Sequence, residues 1–431
     1  MKPPKSATRK SGFFATAAAA SALIWAVLEL LWAQVIVLPN PLLLPPTSWA
    51  EALGRIPATP RPDRFVVMLF KETSLLLAAF ALLGLVLCAL AARAGARKSS
   101  VVTAAACAAA LAVSLVPVAQ ATKTASAEGV PLSLSRYVSD PTPVPERFAD
   151  RTPETTVTYA RSGGEVLKAD VWEPPGGAKD PGRRFGPDVA APGRPAVIVV
   201  HGGGWRSGER SEFPSWDAWL ADEGYVVFDI DCSLSPPPSW REAPADVACA
   251  VGWVKQNAER YGVDPGRVAL MGRSAGSQLA LLTAYEGGRA TPAPGCAARD
   301  AHDTGVAAVA AFYAPTDLSR LTSGGYLPGM DRFLGGSMGA VPGRYRHLSP
   351  VSHVDPADPP TFLVFGGDDQ IVPPSQSELL GERLRRAGVP HRLVELSWAN
   401  HTFDFLWGGW GSQITRSTLE EFLGDHLQND P

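Results

Sequence analysis

Short runs of apolar residues, many of them β-branched, alternate with helical stretches from residue 154 to the end of this 431-residue chain. Continuous apolar runs are typical of strands buried on both faces of a parallel sheet, with helices covering those faces. The predicted strands are 155–160, 166–172, 196–200, 225–230, 268–271, 306–312, 361–365 and 392–396, and the principal helices are 245–261, 275–285 and 375–387. The first two strands alternate more and could be antiparallel. We predict one α/β domain over 154–431 with a mostly parallel eight-stranded sheet.

A serine lies within the pattern Gly-Arg-Ser-Ala-Gly at 272–276, between the predicted strand 268–271 and a helical stretch. A sharp strand-to-helix turn tolerates only small neighbours, and it holds the serine hydroxyl exposed above the sheet. The five-residue pattern alone is common by chance, but its position between strand and helix is the context that a nucleophile requires. The sequence therefore predicts Ser274 as a nucleophile.

Three glycines follow the predicted strand 196–200, in the pattern His-Gly-Gly-Gly-Trp at 201–205. Glycines leave backbone N–H groups unshielded, and such donors stabilise an oxygen that becomes negative during acyl transfer. The N–H that follows the nucleophile would complete this oxyanion hole. We predict Gly203, Gly204 and Ala275 as its donors, and the alternative is a glycine turn needed only for packing.

A serine nucleophile needs a histidine to take its proton and a carboxylate to orient that histidine. Among seven histidines, only His401 lies in a loop just past the last predicted strand, where it can reach the carboxyl edge of the sheet. Asp368 and Asp369 both follow the predicted strand 361–365. We predict His401 as the base, and position alone leaves both aspartates open as its partner.

Together these motifs resemble those of α/β-hydrolase esterases, most closely the hormone-sensitive-lipase-like and BD-FAE (feruloyl/acetyl esterase) groups. The order serine, acid, histidine along the chain is also theirs, and the stretches 263–272 and 349–354 are similar to their sequences. The resemblance implies an α/β-hydrolase fold and a Ser274, Asp369 and His401 triad. It also implies hydrolysis of a small-molecule ester through an acyl-enzyme, with no metal or organic cofactor.

The resemblance covers about residues 155–425, with departures near the expected substrate pocket. Residues 231–234 replace an Asp-Tyr-Arg run that is usual in relatives, and Arg273 stands where an acid or a histidine is usual. We take Trp205 and Arg273 as candidate substrate-binding residues, while Trp407 and Trp410 could either wall an acyl pocket or pack in the core. An arylformamidase-like amide hydrolase and a catalytically silent binding module remain alternatives.

Two further features of the predicted domain are left open by the sequence. The stretch 318–353 is rich in Gly and Pro and is long enough to form a lid over the site, or it is a surface loop. Cys249 and Cys296 flank the helix that follows Ser274. They could form a disulfide in an oxidising compartment, although pairing does not follow from spacing.

Three long apolar runs, 13–37, 73–92 and 101–121, precede the domain. Each is close to the roughly 20 residues that a helix needs to cross a bilayer. We therefore predict three transmembrane helices in a membrane anchor over residues 1–121. The first run is longer than the core of a signal peptide, whereas the third ends in Ala-Gln-Ala, which also resembles a cleavage site. The role of Glu29, inside the first run, is open.

Residues 1–122 carry eleven Lys and Arg against four acids, a net charge of +7, so the rest carries −10 because the whole chain carries −3. An acidic body without a basic stripe argues against nucleic-acid binding. Basic residues lie before the first apolar run and between the second and third, which predicts cytoplasmic flanks there. A multi-pass protein of the cell membrane would then export its body on an extended Pro-rich linker over 122–153. The oligomeric state is open.

Overall fold

A computed structural model describes residues 20, 23–28, 30, 69, 71–175, 193–292, 294–298, 303–321 and 329–428. The chain forms two compact units. The first contains the residues up to Gly129 together with Ser397–Asn400, and the second contains Val130–Leu396 together with the residues from His401 onward. We call the first the helical unit and the second the body.

The helical unit contains α1 Ser74–Arg93, α2 Arg97–Ser114 and α3 Val116–Ala127. Small residues such as Ala81 and Ala110 are fully buried where α1 and α2 pack together. A Cβ atom added to Gly84 would lie 2.7 Å from the Cys107 sulfur. Large aliphatic side chains of α1 such as Leu82, Val86 and Leu90, by contrast, are about half exposed, although Leu77 is buried. Small contact residues that let backbones approach closely are typical of helices packed within a membrane.

Two helical stretches among the described residues, Ser74–Arg93 and Ser100–Ala127, are long and apolar enough to cross a membrane. They correspond to the second and third predicted spans. The first predicted span, 13–37, lies mostly outside the described residues. The stretch Ser100–Ala127 ends six residues beyond the predicted end of the third span at 121. Pro117 does not stop it, because it lies in the first turn of α3, where no backbone N–H is needed.

The predicted extended linker over 122–153 differs from the structure. Its first residues belong to α3, and a short helix, α4 Leu134–Ser139, and a 3-10 turn, Glu146–Phe148, follow. Its part from Val130 on belongs to the body and packs against it, since the Tyr137 ring stacks on Trp410 at 4.4 Å between centroids. Gln413 also exchanges hydrogen bonds with the backbone of Ser133. The prolines therefore set turns in a packed segment, because its aromatic residues find apolar surface on the body.

The body is built on one eight-stranded sheet in the order β1-β2-β4-β3-β5-β6-β7-β8. Strands β3 to β8 are parallel, and β1 and β2 join antiparallel at one edge. The strands are β1 Thr155–Ser162, β2 Glu165–Trp172, β3 Arg194–Val200, β4 Val226–Ile230, β5 Val263–Arg273, β6 Ala308–Phe312, β7 Thr361–Gly366 and β8 His391–Leu396. The mostly parallel eight-stranded sheet is thus confirmed, including the antiparallel pairing of its first two strands.

Helices connect the parallel strands, as right-handed crossovers require. They are α5 Pro214–Asp222, α6 Glu242–Gln256, α7 Ala258–Tyr261, α8 Ala275–Tyr285, α9 Met330–Leu334, α10 Pro342–His347, α11 Ser375–Ala387 and α12 Trp410–Leu423. Every residue of α8 is buried, because this helix lies against β5 and β6 in the centre of the domain. The predicted helix 245–261 is divided at Asn257 into α6 and α7.

The stretch 318–353 is packed on the body where it is described, at residues 318–321 and 329–353. Phe333 of α9 and Tyr345 of α10 are fully buried. The Gln278 side chain donates to the Leu348 carbonyl at 2.8 Å, and the Leu318 N–H donates to Ser349 at 2.9 Å. We call residues 329–353 the cap segment. Buried hydrogen bonds hold its C-terminal part, at Leu348 and Ser349, to α8 and to Leu318.

A disulfide joins Cys249 of α6 to Cys296, and its Cα atoms are 5.6 Å apart. Cys296 also forms a single antiparallel bridge with Ala160 of β1. The disulfide therefore ties the segment after α8 to α6, and the bridge ties it to β1 at the antiparallel edge of the sheet. The third cysteine of the body, Cys232, is buried.

Candidate active site

Ser274 lies at the turn between β5 and α8, with φ 52° and ψ −118°. A positive φ is unfavourable for a residue with a side chain, and such strain is retained where the surrounding structure enforces it. The glycines on either side show how it is enforced. A Cβ on Gly272 would lie within 3.0 Å of the Gly276 backbone, and a Cβ on Gly276 within 3.0 Å of the Val200 and His201 backbone. The small residues of the pattern are therefore required by close backbone approach.

Three side chains from separate loops meet at the carboxyl edge of the sheet. His401 Nε2 lies 3.0 Å from Ser274 Oγ, and His401 Nδ1 lies 2.7 Å from Asp369 Oδ2. Each of the three residues is less than a tenth exposed. A carboxylate can only accept, so Nδ1 carries the proton and Nε2 is free to accept the serine proton. The arrangement can therefore deprotonate the serine as it attacks.

The other oxygen of Asp369 is held by the backbone. Its Oδ1 accepts hydrogen bonds from the N–H groups of Ile371 and Val372 at 2.8 and 2.9 Å. Both carboxylate oxygens are thus used, one to face the imidazole and one to fix the side chain. Of the two aspartates that position left open, Asp369 is the one that contacts His401.

The glycine loop lies directly beside the nucleophile. A Cβ on Gly202 would lie 3.7 Å from the Ser274 Cβ. Gly203 and Gly204 have φ values of 101° and 62°, and a Cβ on Gly203 would lie within 3.0 Å of Ser207. Gly203 thus needs to be glycine on both counts. Ala275 is the first residue of α8, so its N–H has no partner within the helix.

Trp205, a predicted substrate contact, ends the glycine loop and is 3% exposed. Its indole N–H donates to Gln278 at 2.9 Å, and its ring stacks on Phe333 at 4.9 Å between centroids. The indole therefore joins the glycine loop to the cap segment as a rigid wall. The other two tryptophans pack elsewhere: Trp407 lies 3.8 Å from the Arg416 guanidinium, and Trp410 against Tyr137.

Arg273, the other predicted substrate contact, is placed differently by the structure. It is 2% exposed, and its Nε donates to Asp404 Oδ2 at 2.6 Å. Its guanidinium carbon lies 4.2 Å from the centre of the Phe213 ring. The guanidinium is shielded from solvent and paired with a buried carboxylate, so a ligand in the site cannot reach it. The assignment of Arg273 to substrate binding is therefore wrong, because its side chain turns into the core.

Sequence reasoning missed two residues beside the triad, Asp404 and Tyr313. Asp404 is completely buried and accepts from Arg273 and from the Tyr313 hydroxyl at 2.8 Å. The Tyr313 ring lies 4.4 Å from the His401 ring, between centroids. Tyr313 follows β6 directly, so its place at the carboxyl edge of the sheet was the available signal.

Electrostatics keep this buried group in fixed protonation states. Burial raises the pKa of Tyr313 well above its usual value, and the Asp404 carboxylate raises it further. Burial alone would lower the pKa of Arg273, but the nearby Asp404 carboxylate more than offsets this, and the pKa is raised. Tyr313 therefore remains a hydrogen-bond donor, and Arg273 a cation, across the pH range in which an enzyme works.

Comparison with solved structures identifies the architecture. A carbohydrate esterase from gut microbiota superposes with a TM-score of 0.52 at 19% identity, covering 65% of this chain and 99% of that one. Esterase 2 of Thermogutta terrifontis superposes with a TM-score of 0.52 at 26% identity, covering 65% and 97%. The body has the α/β-hydrolase fold. Ser274 lies at a strand-to-helix turn, and hydrolases of this fold carry a nucleophile at a turn of this kind.

Sequence comparisons agree with this fold. The BD-FAE family model matches residues 185–384. Esterase LipQ of Mycobacterium tuberculosis is 32% identical over 64% of this chain and 63% of its own length. The probable carboxylic ester hydrolase LipM of the same organism is 29% identical over 64% and 62%. The chain thus spans less than two thirds of these relatives, and the region that it shares with them is a hydrolase domain.

Proposed function

We propose that the chain is a serine carboxylic-ester hydrolase that works through a Ser274, His401 and Asp369 triad and an acyl-enzyme. The observation that carries the proposal is the continuous hydrogen-bonded path from Ser274 Oγ through His401 to Asp369, at 3.0 and 2.7 Å. The esterase names of the relatives support the substrate class. In an ester, the leaving alcohol needs only one proton, which the same imidazole can supply.

In the first half-reaction, Ser274 Oγ attacks the ester carbonyl while its proton passes to His401 Nε2. The negative oxygen of the tetrahedral intermediate accepts hydrogen bonds from the N–H groups of Gly203, Gly204 and Ala275. Collapse breaks the bond to the alcohol, which takes the proton from Nε2 and leaves an acyl-serine. Water then attacks the acyl-serine with His401 as base, and this releases the acid and restores the enzyme.

We also propose that the helical unit anchors this hydrolase in a membrane, with three spans and the body outside the cytoplasm. The two apolar stretches Ser74–Arg93 and Ser100–Ala127 support the anchor. The basic residues between them, Arg93, Arg97 and Lys98, support a cytoplasmic turn at that point. The Cys249–Cys296 disulfide supports an oxidising compartment for the body.

Hydrolysis by the purified full-length chain tests the catalytic proposal. We expect hydrolysis of short or long acyl esters, and we expect Ser274→Ala to lower kcat by about 10⁴-fold or more. A fluorophosphonate should label Ser274, and the control Ser375→Ala, at an exposed serine, should be labelled as fast as the wild type. Equal rates for the wild type and Ser274→Ala would reject the triad. An aryl formamide hydrolysed in preference to every ester would instead favour the amide hydrolase.

A reporter fusion tests the anchor. Alkaline phosphatase placed after Gly129 matures only in an oxidising space, so we expect an active reporter that sediments with membranes. The same reporter placed after Lys98 should be inactive. An inactive fusion after Gly129 would put the body in the cytoplasm.

A further inference from the structure

Asp404 is held by donors from three different elements of the body. Arg273, at the end of β5, donates to Oδ2 at 2.6 Å, and Tyr313, after β6, donates to Oδ1 at 2.8 Å. The indole N–H of Trp216 in α5 donates to the Asp404 backbone carbonyl at 3.1 Å. We call Arg273, Asp404 and Tyr313 the Asp404 network. Both its carboxylate oxygens are used, and the side chain is completely buried.

Each member of the network is next to a residue of the proposed triad. Arg273 directly precedes Ser274, and Asp404 is the third residue after His401. The Tyr313 ring packs against the His401 imidazole, with 4.4 Å between the centroids. The network therefore joins the turn that carries the nucleophile to the loop that carries the base, across 131 residues of sequence.

A contribution to stability does not by itself explain why a buried ion pair is present here. Taking a carboxylate and a guanidinium out of water costs several kcal/mol each, and well-packed apolar residues often stabilise a core at least as well. What a buried ion pair does supply is one fixed geometry, since a guanidinium offers its donors in a rigid plane. Phe213 and Trp216 line this plane at 4.2 and 5.2 Å from the guanidinium carbon. Neither Arg273 nor Asp404 can shift without losing its partner.

The base needs such a support because of where it lies. Residues 401–409 contain only turns before α12 begins at Trp410, so no helix or strand fixes the imidazole. Asp369 holds one ring nitrogen but does not fix the distance between the other nitrogen and Ser274. Misplacement by about 1 Å in a catalytic site can lower turnover by about 10²-fold.

We propose that Asp404 is a positioning residue, which holds His401 at the correct distance from Ser274 by binding Arg273 and Tyr313. Asp404 touches neither substrate nor reacting atoms in this role. The inference rests on the proposed esterase function, since it concerns the rate at which that triad works. The Arg273 cation thus pairs with an acid that comes from the histidine loop.

Two variants of the full-length chain test the proposal, with kcat expressed per site titrated by fluorophosphonate. Asp404→Asn keeps the size of the side chain but removes its charge, and we expect kcat to fall by about 10²-fold with KM within about threefold. Tyr313→Phe removes one hydrogen bond, and we expect kcat to fall by about 3- to 10-fold. A matched control is Tyr285→Phe, which removes a buried hydroxyl 3.1 Å from Thr361 on the same sheet. It should leave kcat within about twofold.

The outcomes separate this inference from the proposed function. If Ser274→Ala is as active as the wild type, the esterase mechanism itself fails. If Ser274→Ala is inactive while folded Tyr313→Phe and Asp404→Asn keep the wild-type kcat, the positioning role is overturned. The same follows if Tyr285→Phe lowers kcat as much as Tyr313→Phe, because a general loss of packing would then account for both. Should Asp404→Asn fail to fold, Tyr313→Phe with its control decides alone.

Discussion

The helical unit and the body bury opposite kinds of side chain. Where α1 and α2 meet, the buried residues are small, such as Ala81 and Ala110, and large residues such as Leu90 point outward. In the body the fully buried side chains include large aromatic ones, such as Phe228 and Trp216. An apolar composition therefore does not locate a core. Water drives large apolar groups inward. In the membrane location that we propose for the helical unit, lipid would not do so, and close contact of small residues would replace size.

Truncating a large core residue should produce the largest effect, and only in the body. Phe228 of β4 is fully buried and packs edge-on against Tyr261 at 5.3 Å. We expect Phe228→Ala to lower the free energy of unfolding of the body by about 3–5 kcal/mol, because a cavity remains. Denaturant unfolding followed by tryptophan fluorescence measures it. The matched change Leu90→Ala, at a side chain 52% exposed, should leave the free energy of unfolding of the body unchanged. A loss as large as that of Phe228→Ala would contradict the comparison.

Enlarging a small buried residue of α1 should destabilise the helical unit and leave the body unaffected. A Cβ on Gly84 would lie 2.7 Å from the Cys107 sulfur, so we expect Gly84→Leu to destabilise the helical unit by about 1–3 kcal/mol. Protease resistance of the unit in detergent would report the loss, while ester hydrolysis should be unchanged. A helical unit that resists proteolysis as well as the wild type would show that close packing at Gly84 contributes nothing.

Buried charge in the body should give a smaller effect that depends on pH. Burial raises the pKa of Asp217 to about 7 from 3.8, and the neighbouring Asp229 carboxyl is buried as well. The folded state therefore holds a proton that the unfolded state releases near pH 4. The stabilisation from this proton is complete below about pH 4 and is lost as the pH rises to about 7.

We expect Asp217→Asn to flatten the pH dependence of the free energy of unfolding. Relative to the wild type, the variant should gain about 1–2 kcal/mol more stability at pH 8 than at pH 4. Urea unfolding at the two pH values measures it. The exposed Asp222 supplies the control Asp222→Asn. A variant with the same pH slope as the wild type would exclude Asp217 as its source.

Much of the body could be predicted because its signals are local. All eight strands overlap the stretches predicted for them, and the central strands β3, β4, β6 and β7 are almost continuously buried. A strand buried on both faces has little choice of composition. Ser274 and the glycine loop are equally local, because close backbone approach admits only glycine at neighbouring positions. The rule that residues just past parallel strands share one edge of the sheet predicts His401 at that edge, together with Asp368 and Asp369. The choice of Asp369 came from the family resemblance.

The errors came from contacts between distant segments. The sequence predicts Arg273 as a substrate contact because its partner, Asp404, lies 131 residues away and belongs to no recognisable motif. It predicts an extended linker over 122–153 because of the prolines there, but Tyr137 stacks on Trp410, far along the chain. Such contacts depend on the final three-dimensional arrangement, so secondary-structure propensity and motif spacing cannot predict them.

The close approach of Gly276 to the backbone of Val200 and His201 limits which residues of the site can be substituted to change its selectivity. The serine turn and the glycine loop form one inseparable piece, since a side chain added at their contact would push both apart. New acyl specificity therefore has to come from substitutions outside these two turns, and libraries should leave Gly203, Gly272 and Gly276 unchanged.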